Sequence, residues 1–168
     1  MRRLGADFDE FVIGRSSALL RTAILLTGDR HDAEDLVQTA LLRVARHWSR
    51  ALDNPEAYTR RVLVNLAYDR SRYRKRRPER LGPPPDEVAP DYYAEDRDDL
   101  LRLLRRLPDR QRATVVLRYW EDLSVAETAQ ILGCTEGTVK SNTSKALAHL
   151  REALDPTLTD SIGAKDAH

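Results

Sequence analysis

A single cysteine in 168 residues leaves no partner for an internal disulfide and no thiolate set for a zinc site, which points to a reducing compartment. Long apolar runs are missing too, with nothing near the roughly 20 residues that span a bilayer. The basic start, Met1-Arg-Arg-Leu-Gly-Ala-Asp7, runs into acidic residues without an apolar signal core. Neither membrane insertion nor export is expected, and the expected location is cytoplasmic. There is no Gly-rich phosphate loop, nucleophile elbow or paired-carboxylate arrangement. His31, His47, His149 and His168 are scattered without ligand spacing, and Cys134 has no activating base beside it, so it reads as a small buried filler. The expectation is a protein with no enzymatic activity, no cofactor and no metal.

What is present is charge. One third of the chain is charged, and 28 basic residues against 27 acidic ones leave a net charge of only +1. A sum hides distribution. From Tyr58 to Arg80 nine basic residues (Arg60, Arg61, Arg70, Arg72, Arg74, Lys75, Arg76, Arg77, Arg80) face two acidic ones. Leu81 to Asp99 holds seven acidic residues and only Arg97. From Leu100 to Arg118 arginine dominates again. A basic, acidic, basic order of this strength exceeds an ordinary solvated face and points to a polyanion partner.

Five of the eight prolines, Pro78, Pro83, Pro84, Pro85 and Pro90, lie in or just before the acidic stretch. Successive prolines remove backbone donors and force extended geometry, so residues 78–97 read as a linker. As a coil it would span about 25 Å, and fully extended up to about 70 Å. The fold class is all-α: two small helical domains, residues 7–77 and 98–154, flank the linker, and 155–168 form a short tail. Helices are expected from about Asp7 to Leu26, from Asp32 to Trp48, and onward from Asn54-Pro55, an N-cap with proline at the first helical position. In the second, Ala33, Leu36, Val37, Ala40, Leu41, Val44 and Trp48 form an apolar stripe, and Asp35, Gln38, Thr39 and Leu42 lie opposite. In the third, Arg61, Asn65, Asp69 and Arg72 share the outer face, with Asp69 expected to pair with a neighbouring arginine.

The C-terminal half carries the clearest local pattern. Ser124 and Glu127 form a capping box opening a helix from Val125 to Leu132; Gly133-Cys134-Thr135 is a tight turn, and a longer helix follows. This is helix-turn-helix order, although any helical hairpin can carry such a turn. In a helix-turn-helix the start of the second helix enters the major groove, and Thr138, Lys140, Ser141, Asn142, Ser144 and Lys145 are groups suited to phosphates and base edges.

Three motifs in order carry a family resemblance. His31-Asp-Ala-Glu-Asp-Leu-Val-Gln-Thr-Ala-Leu-Leu-Arg-Val-Ala-Arg-His-Trp48 resembles the region 2 core helix of extracytoplasmic-function (group 4) sigma factors of the sigma-70 superfamily. Tyr58 to Arg77 resembles the helix that reads the promoter −10 element, and Leu104-Arg-Arg-Leu-Pro-Asp-Arg-Gln-Arg112 onward to Leu150 resembles region 4, the −35 reader. The resemblance runs from Phe8 to about Leu154. It implies a protein that binds core RNA polymerase, recognises −35 and −10 elements and initiates transcription of a specific gene set. It implies polymerase contacts, with the β′ clamp helices and the β subunit, at Asp35, Gln38, Thr39 and Leu42; Thr39 stands where the family often has an acidic residue. It implies −10 contacts at Asn54, Arg60, Arg61, Asn65 and Arg72, and −35 contacts at Thr138, Lys140, Ser141, Asn142, Ser144 and Lys145. Members of the group are commonly held inactive by an anti-sigma factor, so such a partner is implied here. The acidic linker resembles the segment that threads toward the polymerase active-site channel. The alternative reading is a stand-alone helix-turn-helix regulator that binds duplex DNA without polymerase. A third, an RNA-binding adaptor using the Arg72 to Arg77 run, leaves the C-terminal motif unexplained.

Overall fold

The computed structural model describes residues 5–77 and 94–155, with side chains from residue 97 onward in the second stretch. Among the described residues every regular element is helical: α1 (Ala6–Thr27), α2 (Arg30–Arg46), α3 (Trp48–Ala51), α4 (Pro55–Arg76), α5 (Ala94–Arg106), α6 (Asp109–Val115), α7 (Val125–Leu132) and α8 (Glu136–Leu154). The Pro-rich run from Pro78 to Pro90 and the tail beyond Asp155 lie outside the described residues.

Local chemistry sets the ends of these helices. Gly28 closes α1 at φ 75°, a left-handed conformation that a side chain resists, and its N–H donates to the Ile24 carbonyl at 2.7 Å. Asp29 caps α2 by accepting from the Asp32 N–H at 2.8 Å. Asn54 caps α4 by accepting from the Ala57 N–H at 3.1 Å, with Pro55 in the first turn. Ser124 and Glu127 form the expected reciprocal capping box, and Thr135 caps α8. Each such cap contributes about 1 kcal/mol.

Three boundaries differ from expectation. The second helix starts at Arg30 rather than Asp32, because Asp29 serves as its cap; Asp32 sits in the first turn, where it is buried and holds Arg70 at 3.0 Å and also Arg74. That helix stops before Trp48, since His47 leaves the helical region at φ −122°, ψ 25°, and Trp48 opens the short α3. α5 starts at Ala94, inside the span assigned to the linker; Ala94-Glu-Asp-Arg97 has good helix formers and puts acidic residues at a helix N-terminus.

Burial then joins the two halves. Leu19, Ala23, Ile24, Leu25 and Leu26 of α1, Leu36 and Val37 of α2, and Leu63 and Val64 of α4 share one apolar cluster with Leu104, Leu107, Ala113, Val116, Leu117 and Ile131. A second cluster, with Phe8, Val44 and Ala51 buried, packs under Trp48, whose ring meets Phe8 edge-on at 5.1 Å. Arg112 fastens the junction. Its guanidinium donates to the carbonyls of Leu26, Leu104 and Leu107, each at 2.9 Å, so one side chain ties the C-terminal ends of α1 and α5. Arg105 also donates to the Gly28 carbonyl. Gly28 is required there twice, by its φ and because a Cβ would meet the Arg105 side chain.

After α6 the chain widens into a π-helical turn at Val116–Trp120, in which the Glu121 N–H donates five residues back to the Val116 carbonyl at 3.0 Å. Asp122 then takes a left-handed φ of 53°. This irregular turn sets the direction in which Glu121 points.

Candidate nucleic-acid and polymerase interface

Three polar surfaces emerge. The first is a stripe on α2. Asp35, Gln38, Thr39 and Leu42 recur at i, i+3, i+4 and i+7, and all four are exposed. Thr39 turns its hydroxyl back to the Asp35 carbonyl at 2.9 Å, and Asp35 lies 3.6 Å from Arg70. Leu42 is 63% exposed, an apolar side chain on a polar stripe.

The second is the N-terminal end of α8. Lys140, Ser141, Ser144 and Lys145 are exposed, while Thr138 and Asn142 are half-buried. Thr138 belongs to the cap: its N–H donates to the Thr135 hydroxyl at 3.1 Å, and the two hydroxyls lie 2.9 Å apart. Behind this face Val139 and Ala146 are fully buried. His149 on α8 meets the buried Gln111 of α6 at 2.8 Å, fixing the longer helix to the rest of the motif. Cys134 in the turn is half-buried.

The third surface, α4, is divided. Arg61, Asn65 and Arg72 are exposed along one face, and Asp69 pairs with Arg72 at 3.4 Å as expected. The adjacent face lies against the C-terminal half. Arg60 donates from Nε to Glu121 at 2.7 Å, with side-chain exposures of 19% and 13%, and its Nη2 lies 3.3 Å from Glu56. The Thr22 hydroxyl of α1 donates to the same Glu121 carboxylate. Arg61 donates to the Gln130 carbonyl of α7 at 2.5 Å. Ser71 and Lys75 donate to Asp109 at 2.8 and 3.1 Å. Burial pushes the Asp109 carboxyl up, but the hydrogen bonds from Ser71 and Lys75 and the charges of Lys75 and Arg112 outweigh it and hold the group below its ordinary value. Tyr68, on the same side of α4, is pushed up to about 12 by burial beside Asp109 and Cys134, against the lowering charge of Arg110.

Thus the structure brings Asp35, Gln38, Thr39 and Leu42 together on α2, and the −35 set together on α8. It splits the −10 set, placing Asn54 in a cap, Arg60 in an interdomain ion pair, Arg61 at the edge of the covered face, exposed but bonded to the Gln130 carbonyl, and Asn65 and Arg72 on an open face. Reading the sequence missed Thr22, Asp109 and Glu121, because each gains its meaning from partners 34 or more residues away.

Family models match both halves of the chain. Residues 15–77 match Sigma-70 region 2 and residues 97–150 match Sigma-70, region 4. The RNA polymerase sigma-E factor of Streptomyces coelicolor is 44% identical over 153 residues, covering 88% of this chain and 86% of that protein. The chain belongs to the sigma-70 family, in its extracytoplasmic-function group. The ECF RNA polymerase sigma factor SigM of Mycobacterium tuberculosis is 34% identical, over 88% of this sigma factor and 76% of that protein. Among solved structures, the sigma factor RpoE in complex with the anti-sigma factor NepR from Bartonella quintana matches with a TM-score of 0.74 and 29% identity, covering 89% of this chain and 98% of that one. As a sigma factor the protein binds core RNA polymerase and promoter DNA and initiates transcription; the stand-alone regulator is not favoured. Sigma factors are non-catalytic initiation factors. Among the described residues no helix is long and apolar enough to cross a membrane, and no cluster of three or more His, Cys, Asp and Glu side chains could hold a metal ion.

Proposed function

We propose that the three surfaces divide the work of promoter opening. Asp35, Gln38, Thr39 and Leu42 dock on the polymerase; Thr138, Lys140, Ser141, Asn142, Ser144 and Lys145 read the −35 duplex; Asn54, Arg60, Arg61, Asn65 and Arg72 hold the −10 strand. The observation that carries this reading is the separation of the faces: an exposed leucine on a polar stripe of α2 suits a protein partner, whereas the exposed α8 and α4 groups are cationic or small and polar, as DNA contacts require. Region 2 spans residues 7–77, region 4 spans residues 98–154, and the segment between acts as a tether. A base edge is read fully only once it leaves the stack, and the cost of unpairing, a few kcal/mol, is offset by arginines on the strand backbone. The chain supplies no catalytic group of its own and acts in the cytoplasm, with an anti-sigma factor as the partner that restrains it, as NepR is bound to the Bartonella protein.

Run-off transcription with purified core enzyme on fragmented genomic DNA of the source organism tests the reading. Wild-type protein should give promoter-dependent product. Leu42→Asp should lose it through failed core binding, and Arg61→Ala with Asn65→Ala should keep core binding yet lose open complex. Unaltered transcription by both variants would overturn the assignment.

A further inference from the structure

Glu121 is held in a manner that its own helix does not require. It stands at the end of a π-helical turn, beside a left-handed Asp122, and reaches across the domain junction to two donors, the Arg60 guanidinium on α4 and the buried Thr22 hydroxyl on α1. Widened turns of this kind often mark functional sites. Arg15, Glu56, Arg60 and Glu121 line a small cavity at this point with Phe11 and Leu19. The charges there balance: Arg15 and Arg60 share Glu56, and Arg60 makes its shorter contact with Glu121. Without Glu121 the cluster carries one net positive charge, and the partly desolvated Arg60 guanidinium keeps only Glu56, at 3.3 Å and shared with Arg15, as an acceptor. A carboxylate and a phosphodiester both present anionic oxygens to such donors. Meanwhile the α2 stripe stays open on the same compact chain.

We propose that Arg60 and Thr22 form a backbone-phosphate site of region 2 and that Glu121 of region 4 occupies it when the chain is compact, so that the −10 strand and region 4 compete for one site. The Arg61 to Gln130, Ser71 to Asp109 and Lys75 to Asp109 contacts cover the same side of α4. The free sigma factor therefore presents its polymerase face but withholds part of its −10 face, and strand binding requires region 4 to leave. This inference rests on the reading of α4 as the −10 surface.

The test uses the full chain on a Cys134→Ser background, with spin labels at the exposed positions Ser17 of α1 and Ala148 of α8. Pulsed dipolar distances report separation of the halves, and anisotropy of a short fluorescein-labelled single-stranded DNA of mixed sequence reports strand binding. Glu121→Gln should lengthen the distance and tighten strand binding about tenfold if the compact form dominates by that ratio. Arg60→Glu combined with Glu121→Arg should restore the short distance while strand binding stays weak, an outcome that a purely structural role for Glu121 does not produce. Circular dichroism confirms that each variant keeps its helices, and Thr22→Val provides a second, milder opening. Thr22→Val also removes a proposed phosphate donor, so it is read by distance alone. Unchanged distance in both Glu121→Gln and Thr22→Val overturns the proposal. In Glu121→Gln, separation without tighter strand binding overturns the shared site. The Arg61→Ala with Asn65→Ala transcription assay leaves Glu121 intact, so failure of the −10 assignment is read independently of this one.

Discussion

The two helices proposed to face DNA, α4 and α8, hold their polar groups differently. On α8 the side chains at the start of the helix point to solvent, and the residues behind them, Val139 and Ala146, do the packing. On α4 one face is open, and the other donates to Glu121, Gln130 and Asp109 of the opposite half. A helix that reads duplex DNA can stay exposed because its target is always available as a surface. A helix that holds a melted strand is better kept covered, because stray cationic contact with any nucleic acid competes with its use. The compact chain treats its two proposed readers accordingly.

The largest effect should come from breaking the junction that makes this comparison possible. Arg112→Ala leaves the carbonyls of Leu26, Leu104 and Leu107 without their common donor in a region that excludes water. Hydrogen bonds to a charged group are worth more than neutral ones, so a loss of roughly 3 kcal/mol is expected. For a chain of this size that lowers Tm by about 6 to 12 °C, readable by calorimetry. A change near zero would mean that the halves are held by apolar packing alone.

A smaller effect tests the exposed reader. Lys140→Ala with Lys145→Ala removes two exposed cations from α8 without touching the core. Binding of the holoenzyme to −35 duplex should weaken, and the plot of log affinity against log salt should become shallower by up to about 2. The same pair should leave single-strand binding by the free chain as it was. If strand binding falls as well, the division of labour between α8 and α4 fails.

How much of this was written in the sequence depends on range. The helix caps at Asn54, Ser124 and Thr135, the apolar stripe on α2 and the Gly133 turn depend on residues a few positions apart, and local chemistry fixes them. The faces of α2 and α8 were legible for the same reason, since helical spacing alone groups their side chains. Asp32 shows the limit. From its neighbours it reads only as the start of the second helix, but in the fold it is a buried partner of Arg70 and Arg74, some forty residues on. Glu121 was less legible still: its direction comes from a π-helical turn, and its partners come from α1 and α4. Charge runs indicated that a polyanion binds, but they could not show that a carboxylate from the same chain already stands on one of the arginines.

Tyr68 offers a spectroscopic reading of the covered face. Its phenol is pushed up to about 12 by burial against region 4, and it is one of six tyrosines. In an alkaline absorbance titration it should ionise last, and Tyr68→Phe should remove that final step. Under Glu121→Gln the step should move toward the ordinary tyrosine value of about 10, as opening rehydrates the ring. A late step that persists unchanged would place the cause of its burial within region 2.

The smallest effect concerns acid. Asp109 is held below its ordinary carboxylate value in the compact form, so the folded chain favours the ionised group. A depressed carboxylate contributes stability that is fully present above the ordinary Asp value of about 3.9 and is lost as pH falls through the lowered folded value. Neutral pH therefore keeps the Ser71 and Lys75 contacts at full strength, and only strong acid releases them. The spin-label distance in wild type should lengthen as pH falls below about 4, with part of that response absent in Asp109→Asn. Every other carboxylate is common to both proteins, so the difference between the two curves isolates Asp109. A flat difference curve would show that the charge on Asp109 does not favour the covered face of α4, and would leave the Arg60–Glu121 pair as the electrostatic contact that decides between region 4 and a DNA strand.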